Sequence, residues 1–187
     1  MLENIIDLDK NLFVFLNNLG SEPFDAIWLL ITNQINWIPF FLILIIILYK
    51  KIGQKQLLLT LVIVAVMITF SDQMTNLVKN NVQRLRPCND EELNGLIRIV
   101  RDSETFSYFS GHAANSMAAM MFVFLILRHY YKYAYLILLY PLIFAYSRIY
   151  LGLHFPLDII SGYIFGCLVG ILFYKIYKKI TTKYTMN

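Results

Sequence analysis

From Ala26 to Tyr49 the chain runs for 24 residues without a formal charge. About 20 apolar residues in a helix cross the hydrocarbon of a bilayer, a length hard to place in a small soluble domain. Further apolar stretches follow at 56–79, 110–128, 133–148 and 156–177. Backbone groups in lipid must be satisfied within the protein, which favours helices as the spanning elements. The sequence therefore predicts an all-α, polytopic membrane helical bundle with about five transmembrane helices. At 58% hydrophobic and 15% charged, with a mean hydropathy of +0.59, it is no ordinary soluble domain. Its 187 residues suffice for one bundle domain, 1–187, and not for a second.

Basic residues orient the spans. Lys50, Lys51 and Lys55 follow the first one and mark the cytoplasmic side, to which the RHYYK turn at 128–132 and Lys175, Lys178, Lys179 and Lys183 return. Within the first span, TNQINWIP predicts a kink near Asn36 and Pro39. Ahead of it, Leu8, Leu12, Phe15, Leu16 and Leu19 share a helical face from which Asp9, Lys10 and Asn17 are absent. That pattern predicts an amphipathic interfacial helix within 1–21, lying on the membrane. Glu3, Asp7 and Asp9 stand where a signal peptide carries positive charge, so the segment is read as retained. Cys88 falls in a loop and Cys167 in mid-span, which argues against a disulfide, and no zinc-type spacing occurs.

Three polar clusters interrupt this apolar plan. Asp72, Asn76 and Lys79 recur at helical spacing on the last turns of the second span, a stripe read as facing inward because Asp72 lies at membrane depth. Lys79, Arg84 and Arg86 then gather before Pro87, on the outer side by alternation. Positive charge against the topology rule points to an anion. Residues 88–109 form the one long loop, where Asn89 with Glu92 resembles a capping box and Leu93, Leu96, Ile97 and Val100 share a face. A short helix over about Asp90–Arg101 is predicted there.

The second cluster is Ser110, Gly111 and His112 at a helix start, where free N–H groups and the helix dipole attract an anion. A capping serine beside a buried histidine is the plainer alternative. The third, SRIYLGLHFPLD, sets Arg148 six residues before His154 and Asp158 four after it. Pro156 suits the first turn of a helix. Asp158, one turn inside, can hold the imidazole N–H and leave the other nitrogen free to attack. A chance pair in a tyrosine-rich turn is the alternative here. Gly162, Gly166 and Gly170 continue the Asp158 face, a spacing that joins helices either in a dimer or, as read here, inside one bundle.

In order, Lys79-x6-Arg86-Pro87, Ser110-Gly111-His112 and Ser147-Arg148-x5-His154-x3-Asp158 resemble the signature of the type-2 phosphatidic acid phosphatase family. Membrane lipid phosphatases and vanadium haloperoxidases share it. The resemblance covers 56–177, the implied catalytic core. It implies that His154 forms a phosphohistidine, that Asp158 orients it and that His112 protonates the leaving group. Lys79, Arg86, Ser110, Gly111 and Arg148 would bind the phosphate, with no metal and no cofactor. One departure is Phe109, where the family usually has proline before Ser-Gly-His.

The expected function is hydrolysis of a lipid phosphate or diphosphate at the outer face of a bacterial inner membrane. Undecaprenyl diphosphate leads the candidates, ahead of phosphatidylglycerophosphate, phosphatidic acid and the 1-phosphate of lipid A. The implied partners are a lipid phosphate and the membrane, and no nucleic acid. A small anion transporter or binding protein is the reading from another class, although inverted repeats are not evident.

Overall fold

Gly53 folds the longest helical stretch back on itself. The computed structural model, which describes residues 2–185, is helical with no strand among the described residues. Its elements are α1 (Leu2–Asn18), α2 (Asp25–Thr32), α3 (Ile38–Val82), α4 (Gly111–Leu127), α5 (Leu139–Tyr150) and α6 (Pro156–Thr185). Inside α3, Gly53 takes φ 74° and ψ 172°, a conformation open in practice only to glycine. Two arms, 38–52 and 54–82, meet there and run back alongside each other, so that Phe41 faces the same cavity as Val64 and Ile68. The kink expected near Asn36 and Pro39 is a short 3-10 turn, Gln34–Trp37, between α2 and α3.

α4 is the hub. Its Ala113, Ala114, Ala118, Phe122 and Ile126 are all buried, and α6 lies closest against it. A Cβ on Gly162 or Gly170 would come within 2.7 Å of the Ser110 or Ala118 carbonyl oxygen, and one on Gly166 would strike that of Ala114. The glycine stripe is thus a backbone-to-backbone seam inside the bundle, as read from its shared face with Asp158. α5 closes the other flank, with Trp28 of α2 stacked on Tyr150 at 5.1 Å.

Stretches Gln34–Leu93 and Pro156–Thr182 are long and apolar enough to cross a membrane, whereas Gly111–Leu127 and Ala134–Tyr150 are apolar but shorter. Leu42, Ile46, Val62, Val66, Ile164 and Leu168 stand at least half exposed around the bundle. Exposed apolar surface on this scale marks a membrane-facing or binding surface.

Two expectations need correction. The helix expected over Asp90–Arg101 is absent; in its place are the one-turn 3-10 segments Pro87–Asn89 and Glu91–Leu93. Gly95 at φ 75° breaks the run, and tertiary partners take the backbone groups a helix would use. Arg98 N–H donates to Asn17 Oδ1 at 2.7 Å, while those of Val100 and Arg101 donate to the Leu151 carbonyl. The second concerns α1. Leu8, Phe15 and Leu19 do point away from the bundle, but Asp9, Phe13 and Asn17 are buried against it. Spaced by four, these three form one docking stripe. Asp9 and Asn17 are therefore part of the protein interior, while Glu3, Asp7, Asn11 and Asn18 form the exposed polar side of α1.

At one end of the bundle lie the Gly53 turn and the 128–138 connection. Lys51 sits over the Tyr131 ring, and His129 hydrogen-bonds Tyr174 at 3.0 Å, so this histidine takes no part in the polar clusters. The charge-rule assignment of Lys183 falls on a side chain outside the described ones. At the opposite end α1, the 83–110 loop, the start of α4, the end of α5 and the start of α6 converge. Cys88 and Cys167 are both free.

Candidate active site

His154 lies in the short turn between α5 and α6, and that turn is tied down from both sides. Leu153 and His154 N–H both donate to the Arg148 carbonyl, at 2.9 and 3.3 Å. Gly152 takes φ 85° where the turn presses on the 98–99 backbone, and a Cβ there would sit 3.2 Å from the Arg98 carbonyl oxygen. Pro156 then begins α6, and Asp158 in its first turn is fully buried.

Asp158 Oδ2 accepts the Phe155 N–H at 2.9 Å and faces His154 Nδ1 at 3.4 Å. A carboxylate at Nδ1 favours the tautomer with its proton there, leaving the Nε2 lone pair available. Nε2 lies 3.2 Å from Arg86 Nη1. Burial, and after it the charges of Arg86, Arg148 and Lys79, hold the His154 pKa well below its ordinary value. The imidazole is therefore neutral near pH 7, as a nucleophile must be.

The cations are held differently. Arg86 is buried; it donates through Nε and Nη2 to the Thr105 carbonyl and hydroxyl at 2.7 and 2.8 Å, and through Nη1 to the Leu153 carbonyl at 2.9 Å. Arg148 donates through Nη1 to Thr32 Oγ1 at 2.7 Å, while its Nε is buried without a protein partner. Such a donor is costly unless a ligand satisfies it.

Lys79, Arg86, Gly111, His112, Arg148 and His154 all line one cavity of about 320 Å³. Three separate stretches of chain thus deliver six of the eight expected residues to one space. Ser110 and Asp158 stand behind the wall. Ser110 caps α4, its Oγ accepting the Ala113 N–H at 3.4 Å and its own N–H reaching the Asp158 carbonyl at 3.0 Å. His112 is only partly buried, and its ring stacks on Phe144 with centroids 5.3 Å apart. Phe109 is buried on Phe165 at 5.0 Å, so an aromatic contact anchors the position where the family usually has proline.

Sequence reading missed the layer behind the histidine. Arg84 bridges Asp158 Oδ1 at 2.8 Å and Asp9 Oδ2 at 2.7 Å, with its guanidinium 3.9 Å from the Phe155 ring centre. Asp9 Oδ1 in turn accepts the Leu157 N–H at 2.8 Å. Chain order separates Asp9 from Asp158 by almost the whole protein. The available signal was the Asp9/Phe13/Asn17 spacing, which places two polar groups on a face that needs a partner. Thr32 and Thr105 gave no signal, being isolated hydroxyls.

A second cavity of about 590 Å³ adjoins the first, lined largely by apolar side chains such as Phe41, Ile68, Tyr140 and Phe144. Gln34, Asp72, His112 and Asn115 line both. The arrangement joins a strongly cationic pocket to an apolar groove, which suits an amphiphile with an anionic head.

The family model of the PAP2 superfamily matches residues 57–182. The lipid A 4'-phosphatase of Bacteroides thetaiotaomicron is 36% identical, over 98% of this chain and 83% of the relative. That of Porphyromonas gingivalis is 28% identical, over 94% of this chain and 75% of its own length. Among solved structures, the PAP2-type phosphatidylglycerolphosphate phosphatase of Bacillus subtilis superposes with a TM-score of 0.73 at 19% identity, over 95% of this chain and 88% of that one. Aquifex aeolicus LpxE gives 0.61 at 23% identity, over 88% and 93%. These two share the fold. Family match, relatives and the cationic pocket with its apolar neighbour agree: the chain belongs to the PAP2 superfamily, as a membrane phosphatase of lipid phosphates.

Proposed function

We propose that this chain hydrolyses a phosphate monoester on a sugar-borne, acylated lipid of the lipid A kind, through a phosphohistidine on His154. The observation that carries the reading is the gathering of Lys79, Arg86, Gly111, His112, Arg148 and His154 around one cavity. His154 Nε2 attacks phosphorus while the P–O bond to the sugar oxygen breaks, and His112 gives that oxygen a proton. Water then attacks the phosphohistidine, His112 takes up its proton, and inorganic phosphate leaves. Lys79, Arg86, Arg148 and the Gly111 amide hold the phosphoryl oxygens as charge builds. Ser110 supports them from behind as the helix cap. Asp158 keeps the proton on Nδ1, and the Arg84–Asp9 pair holds Asp158. Three cations and a helix N-terminus supply the positive charge, so no step is routed through a metal.

Undecaprenyl diphosphate gives way here as the leading substrate, because relatives up to 36% identical over nearly the whole chain carry the name lipid A 4'-phosphatase. We further propose five membrane crossings: the two arms of α3, then α4, the 134–150 segment and α6. The Gly53 turn, the 128–132 turn and the C-terminal lysines would be cytoplasmic, and α1 would lie on the outer leaflet of a bacterial inner membrane beside the site. The whole of 1–187 then works as one domain.

The test is phosphate release by purified protein from lipid A, phosphatidic acid, phosphatidylglycerophosphate and undecaprenyl diphosphate, with and without EDTA. Lipid A should be turned over best, EDTA should not matter, and His154→Ala should be inactive on all four. Preference for another lipid, or an active His154→Ala, would overturn the reading. A transporter would release no phosphate at all.

A further inference from the structure

Where the two cavities meet, the wall is made by Gln34, Asp72, His112 and Asn115. His112 is the proposed acid, so this junction is where the leaving group must lie while phosphate occupies the cationic pocket. Asp72 is the only formally charged residue lining the larger cavity. It lies ten residues, on the order of 15 Å, before the end of α3. Its side chain is exposed to the cavity, not packed in the core, yet it stands at membrane depth, where a carboxylate calls for a reason.

The charge of Lys79 reaches it across the smaller cavity, but its direct contacts are weak. No cation lies within ion-pair distance of Asp72 among the described residues. Its oxygens receive only the amides of Asn76 at 3.3 Å and Asn115 at 3.5 Å, both long. A carboxylate has about four acceptor sites, so most of this capacity is unused. Asn115 is turned to present its NH₂ to Asp72 because Ser71 Oγ holds its Oδ1 at 2.6 Å. The Gln34 side chain has no hydrogen-bond partner among the described residues, which leaves it a donor and an acceptor to offer.

We infer that Asp72, with Asn115 and Gln34, forms a leaving-group subsite that accepts a neutral ring bearing hydroxyl or amide N–H groups and turns away a second phosphate. The inference rests on the preceding reading in that it needs the scissile phosphate in the cationic pocket. Its chemistry is simple. When a sugar phosphate is cleaved, the leaving oxygen belongs to a ring whose neighbouring O–H and N–H groups can donate to a carboxylate. When a lipid diphosphate is cleaved, the leaving group is itself a phosphate, and its charge falls against Asp72. Like charges brought to close range repel. The same carboxylate that binds the one leaving group therefore rejects the other, which is how specificity is built against a competitor.

Two soluble probes, inorganic phosphate and pyrophosphate, test this as inhibitors of phosphatidic acid turnover. In the wild type, pyrophosphate should inhibit no more tightly than phosphate despite its greater charge. Asp72→Asn removes the charge at nearly constant shape, and should tighten pyrophosphate at least fivefold relative to phosphate. Gln34→Glu, on a surface turn where folding is not at stake, should shift that ratio the opposite way. A ratio unchanged in both variants would overturn the subsite. In parallel, kcat/KM for lipid A over that for undecaprenyl diphosphate should fall at least tenfold in Asp72→Asn. If the wild type ignores lipid A, the substrate reading fails while the pyrophosphate arm still judges Asp72. If the wild type cleaves lipid A but the ratio is unchanged in Asp72→Asn, the subsite fails and the substrate reading stands.

Discussion

The wall that carries His154 and the wall that carries His112 are built on different principles. On the first, His154, Asp158 and Arg86 are all buried, and every polar atom of the histidine and carboxylate faces a partner. The ring cannot turn without breaking contacts that reach through Arg84 to Asp9 on α1. On the second, His112 rests against Phe144 and borders both cavities. A nucleophile that must keep one lone pair aimed through two chemical steps gains from rigid support. An acid that must reach whatever leaving group arrives gains from standing at an open junction. Under the mechanism we propose, the His154 wall is the source of rate and the His112 wall the place where substrates are told apart.

The most severe break of this comparison is at His154 itself. His154→Ala and His154→Gln should each lose roughly 10⁴-fold or more in kcat, since His154 is the proposed nucleophile. Acid-labile, alkali-stable label from phosphorus-32 lipid should appear on wild-type protein and vanish from both variants. Label persisting in His154→Ala would move the nucleophile elsewhere.

His112→Ala should come next, and unevenly. An alkoxide leaving group needs the proton, and general acids contribute about 10²–10⁴-fold. A lipid phosphate already leaves as a stable anion. The loss in kcat/KM should therefore be much larger on lipid A or phosphatidic acid than on undecaprenyl diphosphate. Equal losses would make His112 a phosphate ligand and erase the distinction between the two walls.

Arg148→Lys keeps the charge but gives up the planar fork, and with it either the Thr32 contact or the buried Nε donor. The expected cost is about 1–3 kcal/mol in transition-state stabilisation, with vanadate inhibition weakened in step. Wild-type kinetics in this variant would show that Arg148 acts only as a point charge.

The smallest effect tests how far the rigid wall extends. Asp9→Asn should lower kcat by about tenfold with little change in KM, because Asp9 acts on His154 only through Arg84 and Asp158. In an Arg84→Gln background the same change should add almost nothing. An additive loss would reduce Asp9 to a general anchor of α1.

Much of this was legible in the chain. Arg86, His112, Arg148, His154 and Asp158 sit in ordered local motifs, and each motif specifies its own turn: Pro156 starts α6 just after His154, and Ser110 caps α4 just before His112. The glycine stripe was legible too, because a spacing of four fixes a helix face whatever lies opposite. Short-range geometry suffices for such statements. The sequence also misled where local pattern met stronger distant partners. Leu93, Leu96, Ile97 and Val100 have helical spacing, yet Asn17 and Leu151 capture the backbone of that stretch.

What the sequence alone determined is the apolar helical class, the three motifs and the chemistry they imply, since each depends on residue type and spacing within a turn or two. Only the tertiary structure decided which groups stand behind and between those motifs. Asp9 meets Arg84 across 75 positions, Thr32 meets Arg148 across 116, and Asp72 stands at the junction of two cavities. No spacing rule reaches that far, because these contacts follow from how whole helices pack. A buried charge takes its meaning from what packing sets beside it.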